Sequence, residues 1–193
     1  MFLVFPRMHL RVHLLFLPTV CMMLWLEGAA SACLLLLAAL LHECGHLTAL
    51  HALHIPVKRI DVLPMGAVIA YDDSVCPHRH TAWAAFAGAG ANLAAMLVCL
   101  PFAGNLYVLL FVIANAALAC MNLLPIETLD GGTVLRSVLA QTRFDSHAER
   151  ICRIASRLSL LFLAVFFCAV GLYSAFALWY LLLSAVMLVQ IFR

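Results

Sequence analysis

Long apolar runs separated by short polar stretches dominate the chain. A hydrocarbon core about 30 Å thick needs roughly twenty apolar residues in a helix. Six stretches approach that length: 12–26, 29–53, 81–100, 106–124, 158–171 and 173–192. The first is short, and the last two form one run too long for a single helix, with Gly171 as the expected break. One segment between spans reads differently. Residues 57–71 (VKRIDVLPMGAVIAY) are rich in β-branched side chains and interrupted by Pro64, Met65 and Gly66, which predicts strand–turn–strand. Further on, Ser146, His147, Ala148 and Glu149 fit a capping box, so a helix is expected to start there and run into the fifth span. The pattern predicts an all-α polytopic membrane protein, a single domain over 1–193. It has six transmembrane helices and a short membrane-associated β-hairpin at 57–71.

Composition removes the soluble alternative. Of 193 residues, 66% are hydrophobic and 10% charged, too few charges to coat a water-soluble domain and too much apolar content for disorder. The net charge of +2 gives no reason to expect nucleic acid. Position matters more than sum. With six spans, one face receives the N-terminus, 54–80, 125–157 and the C-terminus, and these hold all 11 Lys and Arg residues. The positive-inside rule then predicts both termini in the cytoplasm of a bacterial-type membrane. Arg7 and Arg11, the apolar stretch 14–26 and then Ala30, Ser31 and Ala32 imitate a secretory signal with its cleavage site. The next segment is itself a strong span, so the two are expected to stay together as a helical hairpin.

Several features read as ordinary membrane-protein furniture. The 8 cysteines include no C-x-x-C pair, and most lie in apolar runs, so no disulfide framework is expected. Arg150, Arg153 and Arg157 form a basic stripe suited to anionic headgroups. Gly88 and Gly90 read as helix-packing positions. His51, His54, His78, His80 and His147 read as interfacial, and His9 and His13 as flanking residues.

Chemistry is concentrated in the second span, at His42-Glu43-Cys44-Gly45-His46. Four residues apart on a helix, His42 and His46 differ by about 40° in direction and one turn in height, so both imidazoles can face one metal ion. Glu43 is offset by about 100°, near such an ion without ligating it, where a base for water belongs. Ionisable groups inside a span are costly and therefore point to function. At 1.5 Å per residue from Leu53, His42 lies about 16 Å below the membrane boundary. Gly45 leaves room for a neighbouring helix. A third ligand is sought near another span end, in Asn122-Leu-Leu-Pro-Ile-Glu127-Thr-Leu-Asp130-Gly131-Gly132. Asp130 is the first choice and Glu127 the rival. A straight helix from Leu106 would carry Asp130 about 36 Å along, too shallow. Pro125 and the glycine pair are expected to unwind the backbone there and fold it back, which is tolerated at depth only beside protein or a hydrated cavity.

HECGH in one span and NLLPIETLDGG at the end of a later one resemble the two signatures of the site-2 protease family of intramembrane metalloproteases. Ala87 to Asn92 is similar to that family's A-G-P-x-x-N. The N-terminal hairpin, Leu63-Pro64-Met65-Gly66 and the two closing spans look most like the branch that processes a pro-sigma factor in sporulation. The resemblance covers about residues 8–192. It implies one zinc ion per chain held by His42, His46 and Asp130, with Glu43 as catalytic base. Asn122, Asn92 and Gly66 become candidates for substrate contact. It implies a membrane-tethered protein substrate and inhibitory membrane partners. Ala89 and Thr128 depart from the family's prolines, which bears on loop shape rather than on zinc chemistry. Other readings are cleavage of an anti-sigma factor or signal-peptide remnant, a membrane zinc carrier, or an inactive relative that binds membrane segments. Zinc content combined with a cleavage assay separates them.

Overall fold

A computed structural model describes residues 9–63, 66–71 and 76–173. The chain divides into two compact units, Met1–Asn122 and Leu123–Arg193.

The first unit opens with a strand, β1 (His9–Val12), followed by two helices, α1 (Phe16–Glu27) and α2 (Ala29–Ala52). Gly28, at φ +78°, makes the turn between them, a backbone conformation that costs glycine little. The chain then forms β2 (Val57–Leu63) and β3 (Gly66–Tyr71), and continues as α3 (His78–Cys99), a 3-10 turn (Leu100–Phe102) and α4 (Leu106–Asn122). The strand–turn–strand expected at 57–71 is present, with Leu63 opposite Gly66 in an antiparallel pair; Pro64 and Met65 lie outside the described residues. The sheet has a third strand that the sequence reading left as flanking residues. β1 pairs parallel to β2, His9 opposite Arg59 and Val12 opposite Val62. A four-residue strand carries too little alternation to announce itself, and its partner is fixed by the α1–α2 crossover.

Taking 9–12 into the sheet shortens the first expected span, whose helix starts at Phe16 rather than at residue 12. The second, third and fourth expected spans appear as α2, α3 and α4, with ends shifted by up to three residues. Small residues line the contacts between these helices: Ala32, Ala38, Ala89 and Ala119 are completely buried. A Cβ at Gly45 would stand 2.5 Å from the carbonyl oxygen of Ala87 and 2.8 Å from the Ala91 side chain, so glycine lets α2 and α3 touch backbone to backbone. Outward positions are apolar instead. Leu14 and Trp25 are each 83% exposed and Val98 70%, a surface that water would not tolerate over so many helices.

The second unit contains α5 (Asp130–Leu139) and α6 (Asp145–Tyr173). Ile126, Leu160 and Leu163 form its buried centre, with Leu124, Leu129 and Phe167 packed around them. The helix expected from the capping box exists but begins at Asp145, and the box itself is replaced: Ser146 Oγ bonds His147 Nδ1, and Glu149 pairs with Arg153 at 3.3 Å. α6 also runs through Gly171, which therefore does not end the helix. Residues 174–193, and with them most of the sixth expected span, lie outside the described residues. Among the described residues, three helices are long and apolar enough to cross a membrane: Ala29–Ala52, His78–Phe102 and Asp145–Ala169.

Candidate metal centre

α2 brings its two histidines together as the helical period requires. His42 Nε2 and His46 Nε2 stand 3.1 Å apart, with the rings edge to face. The opposite nitrogen of each ring is held by α3. His46 Nδ1 lies 2.8 Å from the Ala84 carbonyl oxygen, and His42 Nδ1 lies 2.7 Å from Asn92 Oδ1. Asn92 is fully buried, and its Nδ2 donates to the Ala38 carbonyl at 2.9 Å and to Asn115 Oδ1 at 2.9 Å.

These contacts assign the protons. A carbonyl oxygen only accepts, so Ala84 requires His46 to carry its hydrogen on Nδ1. Asn92 spends both amide protons on Ala38 and Asn115, leaving its oxygen to accept from His42 Nδ1. With both Nδ1 atoms protonated, both Nε2 atoms present lone pairs to the same small volume. Two such nitrogens 3.1 Å apart can converge on one cation. Imidazole nitrogens tied through their far side to an amide and a carbonyl are the arrangement of metal-ligating histidines.

Gly88 completes the frame. It was read from the sequence as a packing position, and its neighbours are the two imidazoles. A Cβ there would overlap the His46 imidazole and approach His42 Cε1 to 2.8 Å, so only glycine leaves room for both rings. Gly90, by contrast, meets only Phe86 at 3.5 Å, ordinary packing.

Glu43 projects to another side of α2, as its angular offset predicts, and reaches the sheet. Its Oε1 accepts from the Ala67 backbone N–H at 3.2 Å. That N–H belongs to β3, whose other edge is taken by β2. Gly66, the first residue of β3, is exposed and has φ +142°, so its place in the turn already accounts for glycine. Asn122 ends α4 and turns its Nδ2 back to the Leu118 carbonyl, 3.1 Å away.

In the second unit, the backbone from Leu123 to Leu129 is not helical, as the sequence reading required of the approach to Asp130. The glycine pair contributes differently from expectation. Gly131 and Gly132 lie within α5, and a Cβ on either would run into the carbonyls of Leu123 and Leu124 or of Ile126. Their role is to let the loop wrap against the helix rather than to unwind it. Asp130 is the first residue of α5, where a carboxylate is favoured by the helix dipole. The rival Glu127 is exposed, with its backbone N–H donated to Ser156 Oγ at 3.3 Å. All eight cysteines are free thiols, as expected.

Two contributors escaped the sequence reading: Asn115, buried inside an apolar helix, and the Ala84 carbonyl, which no side-chain pattern can announce. Gly88 is the helix-packing position expected of it, and what packs there is the pair of imidazoles.

Comparison with known proteins agrees with this chemistry. The sequence pattern of peptidase family M50 matches residues 102–166, which include the Asn122–Gly132 motif. A Synechocystis protein provisionally named a zinc metalloprotease is 34% identical over 129 residues, 61% of this chain. The match spans 33% of that relative, so the chain corresponds to about a third of its length. Among solved structures, the site-2 protease from Methanocaldococcus jannaschii superposes with a TM-score of 0.63 at 19% identity, covering 97% of this chain and 90% of that one.

Proposed function

We infer that this chain, a relative of peptidase family M50 with the fold of a site-2 protease, is an intramembrane zinc metalloendopeptidase. The observation that carries the reading is the pair of Nε2 atoms 3.1 Å apart, each ring held by a contact at its far nitrogen. Imidazole nitrogens with a carboxylate suit zinc, and a hydrolytic site takes three protein ligands. Asp130 is proposed as the third, supported by its position at a helix start beyond an unwound loop, inside the segment that matches the family. The exposed Glu127 is less suited. A zinc ion in such a site supplies Lewis acidity, lowering the pKa of a water towards about 7 and polarising a carbonyl.

The chain's own groups do the rest. Glu43 takes the proton from the attacking water and delivers it to the amine nitrogen as the peptide bond breaks. Its bond to Ala67 N–H holds the carboxylate beside the edge of β3. A helical substrate conceals its carbonyls, so the segment to be cut must first be extended, and the β3 edge can accept it as an added strand. Gly66 at the start of that edge and Asn122 near Pro125 are proposed to contact the extended segment. Asn92 is better explained as the partner of His42 than as a substrate contact.

The finer reading takes α1 to α4 and α6 as five of six spans, the sixth, expected at 173–192, falling almost wholly outside the described residues. Both termini and the opening of the site face the cytoplasm, as the grouping of all 11 basic residues supports. The substrate is a membrane-tethered protein, and the hairpin and Leu63–Gly66 layout favours a tethered transcription factor such as a sporulation pro-sigma factor. An anti-sigma factor or signal-peptide remnant is the alternative. Inhibitory membrane partners belong to the same reading. The test uses the full chain in nanodiscs with a tagged tethered substrate. Native protein should contain about one zinc per chain and cleave. Glu43→Gln should keep the zinc and lose cleavage by at least about a thousandfold, the range of a lost acid–base group in a concerted site. Zinc-free native protein, or normal turnover by the Gln form, would refute it.

A further inference from the structure

Asn115 sits in the middle of α4, completely buried, in a helix that is apolar apart from Tyr107 and the terminal Asn122. A buried amide inside the bilayer is costly unless its donors and acceptors are matched. Here they are matched in one direction. Asn115 Nδ2 donates to the Phe111 carbonyl at 2.8 Å, and its Oδ1 accepts from Asn92 Nδ2 at 2.9 Å. Asn92 Oδ1 in turn lies 2.7 Å from His42 Nδ1.

The polarity of this chain follows from its far end. The Phe111 carbonyl can only accept, so the Asn115 amide must turn its nitrogen towards it and its oxygen towards Asn92. That oxygen requires a donor from Asn92, whose oxygen is then left facing His42. His42 must therefore carry its proton on Nδ1. The Ala38 carbonyl supports the same orientation by taking the second Asn92 proton at 2.9 Å. Reversing Asn92 would set oxygen against oxygen at both Ala38 and Asn115.

We propose that Asn115 is a positioning residue for the metal centre: through Asn92 it locks His42 in the Nδ1–H tautomer and so presents Nε2 to the zinc. This rests on His42 being a zinc ligand. It gives α4, which supplies no ligand itself, a direct influence on the ligand strength of α2. A role limited to holding three helices together would make no distinction between tautomers.

The test compares native protein, Asn115→Ala and Asn115→Asp, each as the full chain in detergent, labelled with 15N-histidine. Imidazole 15N shifts of the zinc-free protein report the His42 tautomer, assigned with a His42→Asn control. Zinc affinity is read by competition with a chromophoric chelator. Asp at 115, as the neutral acid, donates its O–H to the Phe111 carbonyl and keeps an oxygen facing Asn92, and should retain the native tautomer and affinity within about twofold. Ala leaves Asn92 with one anchor and one unmatched proton. It should show a tautomer mixture and zinc binding weaker by about tenfold, the lower end of the range for outer-shell partners. A folded Ala variant with native tautomer and affinity overturns the proposal. If the Ala variant does not fold, the Asp variant decides: native tautomer and affinity support the relay, and a tenfold loss overturns it. Native protein that takes up no zinc refutes the metalloprotease reading itself, whereas the tautomer result in zinc-free protein stands separately.

Discussion

α2 meets two of the helices packed against it, α3 and α1, in different ways. Towards α3 it buries Ala38, His42 and Gly45, and nearly every contact there is specific: imidazole to amide, imidazole to carbonyl, glycine to backbone. Towards α1 the contact is generic, and α1 buries none of its own residues. The α2–α3 contact is set by matching individual atoms in a place where an unmatched polar group has no water to turn to. The α1 side answers only to the need for an apolar surface, which any large apolar side chain satisfies. The same helix therefore has a face with almost no freedom to change and a face with a great deal.

The sharpest way to break that comparison is at Gly88. Its missing Cβ leaves space for both imidazoles, and a methyl group would overlap one ring and press the other. The rings cannot simply swing aside, because each is tethered at Nδ1. Gly88→Ala should therefore lose zinc affinity by more than about a hundredfold, beyond what an outer-shell change usually costs. Metal analysis of the purified variant, alongside Gly90→Ala as a control that meets only Phe86, measures this. Equal zinc in both variants would mean that the close approach of Gly88 to the rings does not exist in the working protein.

Next in size is Asn92→Leu. The substitution is close in volume but replaces the acceptor for His42 Nδ1 with methyl groups and strands the Ala38 and Asn115 contacts. Zinc affinity should fall by about 10- to 100-fold, with the remaining His46 tether unaffected. A cobalt(II)-substituted sample should show an altered ligand-field spectrum. An unchanged spectrum and affinity would make Asn92 a helix-packing residue only.

These two faces also explain what could be read from the sequence. The apolar helices followed from hydropathy because one requirement, an apolar outward face, applies to every such residue, and the α1 face obeys nothing else. His42, Glu43 and His46 were legible because one helical turn dictates their geometry locally. Asn115 was not legible, because its meaning depends on Asn92 and His42 on two other helices. The strand at His9–Val12 was missed for a similar reason, since its partner β2 lies beyond an intervening helical hairpin. Gly131 and Gly132 were noticed but misread, as their backbone is helical and their function is to admit the carbonyls of the preceding loop. Local periodicity thus yields elements and ligand spacing, while long-range polar matching stays hidden until the helices are placed.

The smallest expected effect tests the permissive face. Leu17 lies on α1 and is 63% exposed, so under the membrane reading proposed above most of its surface meets lipid rather than protein. In water, removing such a side chain from a core would leave a cavity, but here acyl chains move in to fill the space. Leu17→Ala replaces one apolar surface by a smaller one without changing its solvent. Neither the Ala84 and Asn92 contacts nor Gly88 lies on this helix, so the metal centre has no reason to respond. Zinc content should remain native, and the thermal midpoint in detergent should move by no more than the equivalent of about 0.5 kcal/mol, the range of exposed substitutions. A loss of zinc comparable with that of Asn92→Leu would show that α1 also holds the histidines in place. The division of α2 into a constrained and a permissive face would then be wrong.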